Sequence, residues 1–298
     1  MGYVELYKTG ELAQRIAELK ELMEPCRLCP RECGASRISG ERGECGAGKD
    51  VEISGFGPHF GEEAPLVGKG GSGTIFFAFC SLRCVFCQNF EISRGRDKYS
   101  VGTDELAEIM LGLQERGCVN INLVTPTHYL PQILDSVLAA CEEGLKLPLV
   151  YNCSGYERLE ILRKLDQIVD IYLPDLKYAS EEIALKYSRI SGYPKVAKEA
   201  IKEMHSQVGD LVLDKKGTAI KGLLIRHLVM PGGLSGTAEL MKFITEEVSP
   251  TCWINIMSQY YPTYLAHRYP EIDRRISHKE FQEALAAAEK ASPYFHLL

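Results

Sequence analysis

Three thiols fall within eight residues in Cys80-Ser-Leu-Arg-Cys84-Val-Phe-Cys87, with gaps of four and three. A loop of that length can wrap one small metal centre. Cysteine thiolates hold iron–sulfur clusters, and a cubane has four irons, so three local ligands leave one iron for another ligand. An open coordination position is the mark of a catalytic metal site. The competing readings are a zinc site completed by a distant residue and three buried thiols without a shared role, and the clustering on one loop argues against both.

A second group, Cys26-x2-Cys29-x3-Cys33-x11-Cys45, brings four thiols into twenty residues bracketed by glycine and proline. Four ligands read as a closed, structural centre. Zinc and a second 4Fe–4S cluster both accept four cysteines, and the spacing leans slightly towards zinc, although a redox role and no metal at all stay open. Cys118, Cys141, Cys153 and Cys252 lie singly among apolar neighbours and read as core.

The whole chain has 298 residues, 11 cysteines and a formal charge of −6. A cytosolic chain keeps its thiols reduced, so so many cysteines point to metal or catalysis rather than disulfides. The charge and the lack of any Lys/Arg run argue against a nucleic-acid partner. The N-terminus has no basic-then-apolar signal pattern, and no stretch nears the roughly 20 apolar residues that span a bilayer. The expectation is a cytoplasmic protein with no membrane partner.

The elements that must position these loops are readable from Thr74 onward, where short β-branched runs alternate with segments of helical period. Six candidate strands, 74–79, 119–124, 148–152, 168–173, 222–229 and 253–257, are mostly uninterrupted apolar runs, as burial on both faces requires. The fold class expected is α/β, a partial (β/α)6 TIM-type barrel, in residues 71–298. Thr103 is the expected N-cap of the helix that stops at Gly117, and Ser277-x-x-Glu280 is a capping box. A hairpin is expected around Lys215–Gly217. Residues 1–70 read as a Cys-rich N-terminal subdomain: one helix over 11–23, the cysteine loop, then a glycine-rich stretch with little periodicity. In such a barrel the chemistry sits on the loops after the strands. Arg226 and His227 lie on opposite faces of one strand, and Arg226 is the one expected to point inward. His128 follows the second strand, with function and solvent exposure equally open.

Cys-x3-Cys-x-Phe-Cys on the first βα loop resembles the radical S-adenosylmethionine superfamily. Further phrases, CQNFEIS (87–93), TPTH (125–128), YNCSGYE (151–157), DIYLPDLKY (170–178), RHLVMPGG (226–233) and MSQYYP (257–262), are similar to its pyruvate formate-lyase-activating-enzyme-like branch, within a subgroup of unassigned substrate. The resemblance implies a 4Fe–4S cluster on Cys80, Cys84 and Cys87 whose open iron chelates S-adenosylmethionine. One electron, from a flavodoxin- or ferredoxin-type donor, would cleave it to methionine and a 5′-deoxyadenosyl radical that abstracts hydrogen from a protein, peptide or small-molecule substrate. By the same resemblance Phe86 packs near the adenine, and Lys177 of Asp175-Leu176-Lys177 stands near the methionine carboxylate. Thr125-Pro126-Thr127 replaces the activating enzymes' Gly-Gly-Glu, so contact with the cofactor's amino group passes to the Thr125 and Thr127 hydroxyls or to backbone carbonyls. Asn152-Cys153-Ser154-Gly155 replaces Asp-Thr-Asn-Gly, which makes Asn152 and Ser154 hydrogen-bonding residues and removes a charge. Gln259 closes the ring at the last strand end. The alternative class is a non-catalytic iron–sulfur or zinc protein in electron transfer or scaffolding.

Overall fold

A computed structural model describes residues 1–298. The N-terminal segment holds helices α1 (Gly2–Thr9) and α2 (Glu11–Lys20), strand β1 (Val51–His59) and the short helix α3 (Ala64–Val67). Then follow β2 (Ser72–Phe77), α4 (Phe90–Ser93), β3 (Tyr99–Val101), α5 (Thr103–Glu115), β4 (Ile121–Val124), α6 (Leu130–Glu142), β5 (Leu149–Cys153), α7 (Leu159–Lys164) and β6 (Ile171–Pro174). The last part comprises α8 (Glu181–Ser188), α9 (Tyr193–Val208), β7 (Val212–Leu213), β8 (Ala219–Leu228), α10 (Thr237–Glu247), β9 (Trp253–Met257), α11 (His278–Ala291) and β10 (His296–Leu297).

The six expected strands are β2, β4, β5, β6, β8 and β9, and they pair in that order, all parallel. β1 flanks β2 and β10 flanks β9, so the sheet curls into a partial barrel and leaves its ends unjoined. β5 and β6 are buried along their whole length, with helices outside and side chains within, which is why these strands carry apolar runs instead of alternation. The hairpin is present: β7 pairs antiparallel with β8, and Asp214 Oδ1 accepts from the backbone of Lys216 and Thr218 in the turn.

Several local expectations are corrected. The helix expected over 11–23 is α2, which stops at Lys20, and a further helix, α1, precedes it and ends at Gly10, whose φ of 78° lies in the left-handed region. The N-cap of α5 is Gly102, and Thr103 is the first helical residue. The glycine-rich stretch contains β1, which pairs antiparallel with β2 through Phe56↔Ile75 and Gly57↔Thr74. Long-range pairing with β2, not local periodicity, makes it a strand. The capping box is as read, with Ser277 Oγ accepting from Glu280 N and Glu280 accepting from Ser277 N.

One continuous core links the N-terminal helices to the barrel helices, and a smaller one fills the barrel's lower end. There Leu66 of α3 packs against Val150, Ile171 and Leu224, and Asn120 Nδ2 donates to Leu66 O at 2.8 Å. α3 therefore plugs the mouth opposite the cysteine loop.

Candidate functional site

β2 ends two residues before Phe79, whose φ of 72° turns the chain sharply into the cysteine loop. A bulky residue in the left-handed region costs of the order of 1–3 kcal/mol and persists where surrounding structure enforces it. Here the enforcement comes from Phe79 N donating to Ile92 O at 2.9 Å and from Gly46, where a Cβ would stand 2.5 Å from the Phe79 ring. The loop is tied to the far side of the barrel as well, since Arg83 N and Val85 N donate to Ser188 O and Tyr187 O.

All eleven cysteines are free thiols. Leu82 N donates to Cys80 Sγ at 3.4 Å, Cys84 Sγ meets Ser188 Oγ at 3.0 Å, and Cys87 Sγ meets Ser93 Oγ at 3.3 Å. Ser188 is itself held by the Tyr178 hydroxyl at 2.7 Å. Burial pushes the Cys80 thiol up to about 12 and raises Cys84 as well. These sulfurs become thiolates only where a positive centre stabilises the charge, as metal coordination does. Three soft donors spread along one loop fit a centre of several irons better than one ion.

The loop opens on a cavity of about 230 Å3 at the C-terminal ends of the strands. Phe86, Thr125, Asn152, Ser154, Asp175, Lys177, Arg226 and Gln259 all line it, together with the three cysteines. Thr127 does not line it, because a turn of 3-10 helix over Thr127–Tyr129 aims its hydroxyl at Glu157 Oε1, 2.8 Å away. Thr125 carries a φ of 60°, a second non-glycine strain point at a strand end.

Parallel register brings the polar side chains together. Asn152 opposes Leu173 on β6, and Asp175 bridges to Arg226 across the next strand pair. Asp175 accepts from Lys177 Nζ at 2.6 Å and from Arg226 Nε at 2.8 Å, and Arg226 also donates to Asn152 Oδ1 at 2.6 Å. Burial alone would raise the Asp175 carboxyl, but the two cations outweigh it and hold the group below the usual range. Ser154 Oγ is buried in the cavity wall without a hydrogen-bond partner. The turn beside it needs Gly155, at φ 74°, where a Cβ would lie 2.7 Å from Asp175 O.

His227 points away, into a fully buried niche where its nitrogens meet Leu176 O at 2.7 Å and Thr237 Oγ1 at 2.9 Å. His128 is also buried, not exposed, and bonds to Ala78 O at 2.7 Å. Burial holds it neutral, down to about 3. Sequence reading missed Glu157, a buried acid that Thr127 and Tyr151 donate to and that burial lifts to about 7. It also missed Arg37, fully buried, which donates to His128 O at 2.6 Å and to Gly48 O. Neither carries a local signal, since Glu157 beside Arg158 and Arg37 in a polar loop both look like surface charges in sequence.

In the N-terminal group Cys26 and Cys29 are buried, Cys33 and Cys45 half-buried. The Cys33 and Cys45 sulfurs flank Gly43, where a Cβ would stand 3.5 and 3.4 Å from them, and Ala47 N donates to Cys45 Sγ at 3.4 Å. Burial pushes the Cys29 thiol up to about 12. This loop touches the other one: Arg83, between Cys80 and Cys84, donates to Glu44 O, and Arg31 donates to Ser81 O and Arg189 O.

Residues 74–215 match the family model of the Radical SAM superfamily. An uncharacterized protein of Methanocaldococcus jannaschii is 31% identical over 297 residues, covering 96% of this chain and 81% of its own. Among solved structures, a maturase of the FeFe-hydrogenase aligns over 74% of this chain at 15% identity and a TM-score of 0.49. Methylornithine synthase aligns over 72% at 14% identity and a TM-score of 0.46. The aligned region spans 48% of the maturase and 60% of the synthase.

Proposed function

The chain belongs to the Radical SAM superfamily, and from that premise we propose that it binds S-adenosylmethionine in the cavity beside Cys80, Cys84 and Cys87 and uses it to abstract hydrogen from a substrate. Membership implies a 4Fe–4S cluster and a reductant. The observation that carries the reading is that the three-thiol loop and the polar strand ends Asn152, Ser154, Asp175, Lys177 and Arg226 face one cavity. A scaffold or electron carrier has no use for that convergence.

In this reading Cys80, Cys84 and Cys87 hold the cluster. When bound, it supplies the electron that cleaves S-adenosylmethionine to methionine and a 5′-deoxyadenosyl radical. Lys177, steadied by Asp175, presents its ammonium to the methionine carboxylate, and the unpaired Ser154 hydroxyl and the Asn152 amide hydrogen-bond the nucleoside end. Thr125 contributes its hydroxyl or carbonyl to the amino group, and Gln259 caps the last strand end. Phe86, packed edge-on to Tyr178 with ring centres 6.4 Å apart, supports the adenine and keeps water from the radical. Cys26, Cys29, Cys33 and Cys45 hold a second centre, zinc or iron–sulfur, in a lobe formed by residues 1–70 against the domain of residues 71–298.

For the substrate, the activating-enzyme resemblance favours a carbon–hydrogen bond in a protein or peptide, and a small molecule is the second reading. A flavodoxin- or ferredoxin-type protein would deliver the electron. The test is anaerobic reconstitution with iron and sulfide, followed by reductant and S-adenosylmethionine. Formation of 5′-deoxyadenosine is expected; a loaded cluster that yields none would leave the non-catalytic reading in its place.

A further inference from the structure

Cys84 lies between two backbone anchors. Arg83 N donates to Ser188 O at 3.1 Å and Val85 N donates to Tyr187 O at 2.8 Å, which fixes the intervening residue against the last turn of α8. That helix stops there because Arg189 takes a φ of 54°, with its N–H closing the turn onto Leu185 O. The register brings Ser188 Oγ to 3.0 Å from Cys84 Sγ. Tyr178, just beyond β6, brings its own hydroxyl to 2.7 Å from Ser188 Oγ.

The direction of these hydrogen bonds follows from the atoms involved. Ser188 and Tyr178 are fully buried, and the Tyr178 hydroxyl has Ser188 Oγ as its one partner. Its ring is held edge-on by Phe86 and by Tyr193, with ring centres 6.4 and 5.5 Å away. A thiolate on iron accepts and cannot donate. Ser188 has a single O–H, so once Cys84 is a ligand that proton points at the sulfur, and the serine oxygen accepts from Tyr178. Each bond then polarises the next. The other two thiols of the loop have less behind them: Cys80 Sγ accepts from Leu82 N at 3.4 Å, and Cys87 Sγ meets Ser93 Oγ at 3.3 Å with no second hydroxyl beyond it.

We propose that Ser188 and Tyr178 form a hydroxyl relay that raises the reduction potential of the cluster held by Cys80, Cys84 and Cys87. The assignment rests on the proposed function of that loop. Reduction adds one negative charge to the cluster, part of it on the sulfurs, so a donor aimed at a ligand sulfur stabilises the reduced form more than the oxidised one. Ser188 acts on the cluster ligand directly, and Tyr178 is a positioning residue that acts through Ser188. The cations that act on Cys84 through space, Lys177 and Arg94, direct their hydrogen bonds to Asp175 and to Leu82 O instead.

The two residues give their substitutions different signatures. Ser188→Ala removes the donor to sulfur and strands the Tyr178 hydroxyl in a buried site, so it lowers both the potential and the stability. Tyr178→Phe leaves Ser188 free to donate and removes only the polarisation, which is a smaller fall in potential. The double variant also removes the stranded hydroxyl. It therefore recovers stability relative to Ser188→Ala, while its potential stays where Ser188→Ala put it. A purely structural role would move stability and leave the potential alone.

A potentiometric titration of the reconstituted full chain tests this, followed by electron paramagnetic resonance without S-adenosylmethionine and reading the signal that disappears in a Cys80/Cys84/Cys87 triple variant. Ser188→Ala is expected to lower the equilibrium constant for one-electron reduction about tenfold, a negative shift of about 59 mV. The double variant should match it, and Tyr178→Phe should fall between it and wild type. An equilibrium constant within about twofold of wild type in cluster-loaded Ser188→Ala, or a shift to higher potential, would overturn the relay. Should Ser188→Ala fail to load its cluster, the double variant is read against the same limits. The titration does not depend on turnover. A shifted potential in a protein whose wild type forms no 5′-deoxyadenosine removes the proposed cleavage and keeps the relay, while 5′-deoxyadenosine formation with an unshifted potential removes only the relay. A wild type that takes up no reducible cluster removes both.

Discussion

Asp175→Asn isolates the charge that holds the cavity wall together. The substitution keeps the volume and one acceptor oxygen but leaves Lys177 and Arg226 facing each other without the carboxylate that each donates to, at 2.6 and 2.8 Å. The three side chains are between 17% and 20% exposed. Breaking a fully buried pair from one side costs 3–5 kcal/mol, and partial solvent access lowers this to about 2–3 kcal/mol. For a chain of this size each kcal/mol moves the melting temperature by about 2–4 °C, so a fall of about 4–12 °C is expected. Thermal unfolding of the cluster-free chain, followed by circular dichroism at pH 7, measures it. The Asp175 carboxyl is held below its usual 3.8, so its contribution is present at neutral pH and fades as the pH falls through that depressed value. Wild type and variant should therefore converge in acid. Adding Arg226→Met should recover part of the loss, since two cations no longer share the site. A melting temperature within 1–2 °C of wild type at pH 7, or a gap that does not change with pH, would refute the network as drawn.

Cys84→Ala should abolish 5′-deoxyadenosine formation in reconstituted protein; retained turnover would move the open cluster elsewhere. A Cys80/Cys84/Cys87 triple variant should still bind metal through Cys26, Cys29, Cys33 and Cys45, and elemental analysis would tell zinc from iron there. Burial raises Glu157 from 4.5 to about 7, so its neutral form is favoured in the fold and stability falls as pH rises through that interval. Glu157→Gln should flatten that part of the stability curve in denaturant titrations, and an unchanged slope would assign the pH dependence to other groups. Gly46→Ala puts a methyl 2.5 Å from the Phe79 ring at a φ of 104°, and iron retention on the neighbouring loop after gel filtration should drop.

The six parallel strands were legible because strands buried on both faces must be apolar runs, and nothing in a parallel barrel relaxes that demand. Position after those strands then placed Asn152, Asp175, Lys177 and Arg226 around one cavity. Thr127 was misread for a local reason: the turn over Thr127–Tyr129 rotates a residue two places beyond Thr125 away from the opening. β1 escaped because its glycines blur any period and its partner strand supplies the pairing. Glu62 and Glu63 escaped for the opposite reason. Two consecutive acids in a glycine-rich loop look like solvated charge, and only the docking of α3 into the lumen buries them.

The two cysteine loops are hydrogen-bonded to one another directly. Arg83 lies between two cluster cysteines and donates to the carbonyl just before Cys45, while Arg31, two residues beyond Cys29, donates to the carbonyl just after Cys80. Gly46, next to Cys45, receives the Phe79 ring that turns the chain into the catalytic loop. A change in the geometry of either loop therefore bears on the other, because both hydrogen bonds cross between them and a side chain at Gly46 would collide with the Phe79 ring. The N-terminal cysteines, which composition alone would assign to a separate staple, form the rear wall of the loop that carries Cys80, Cys84 and Cys87.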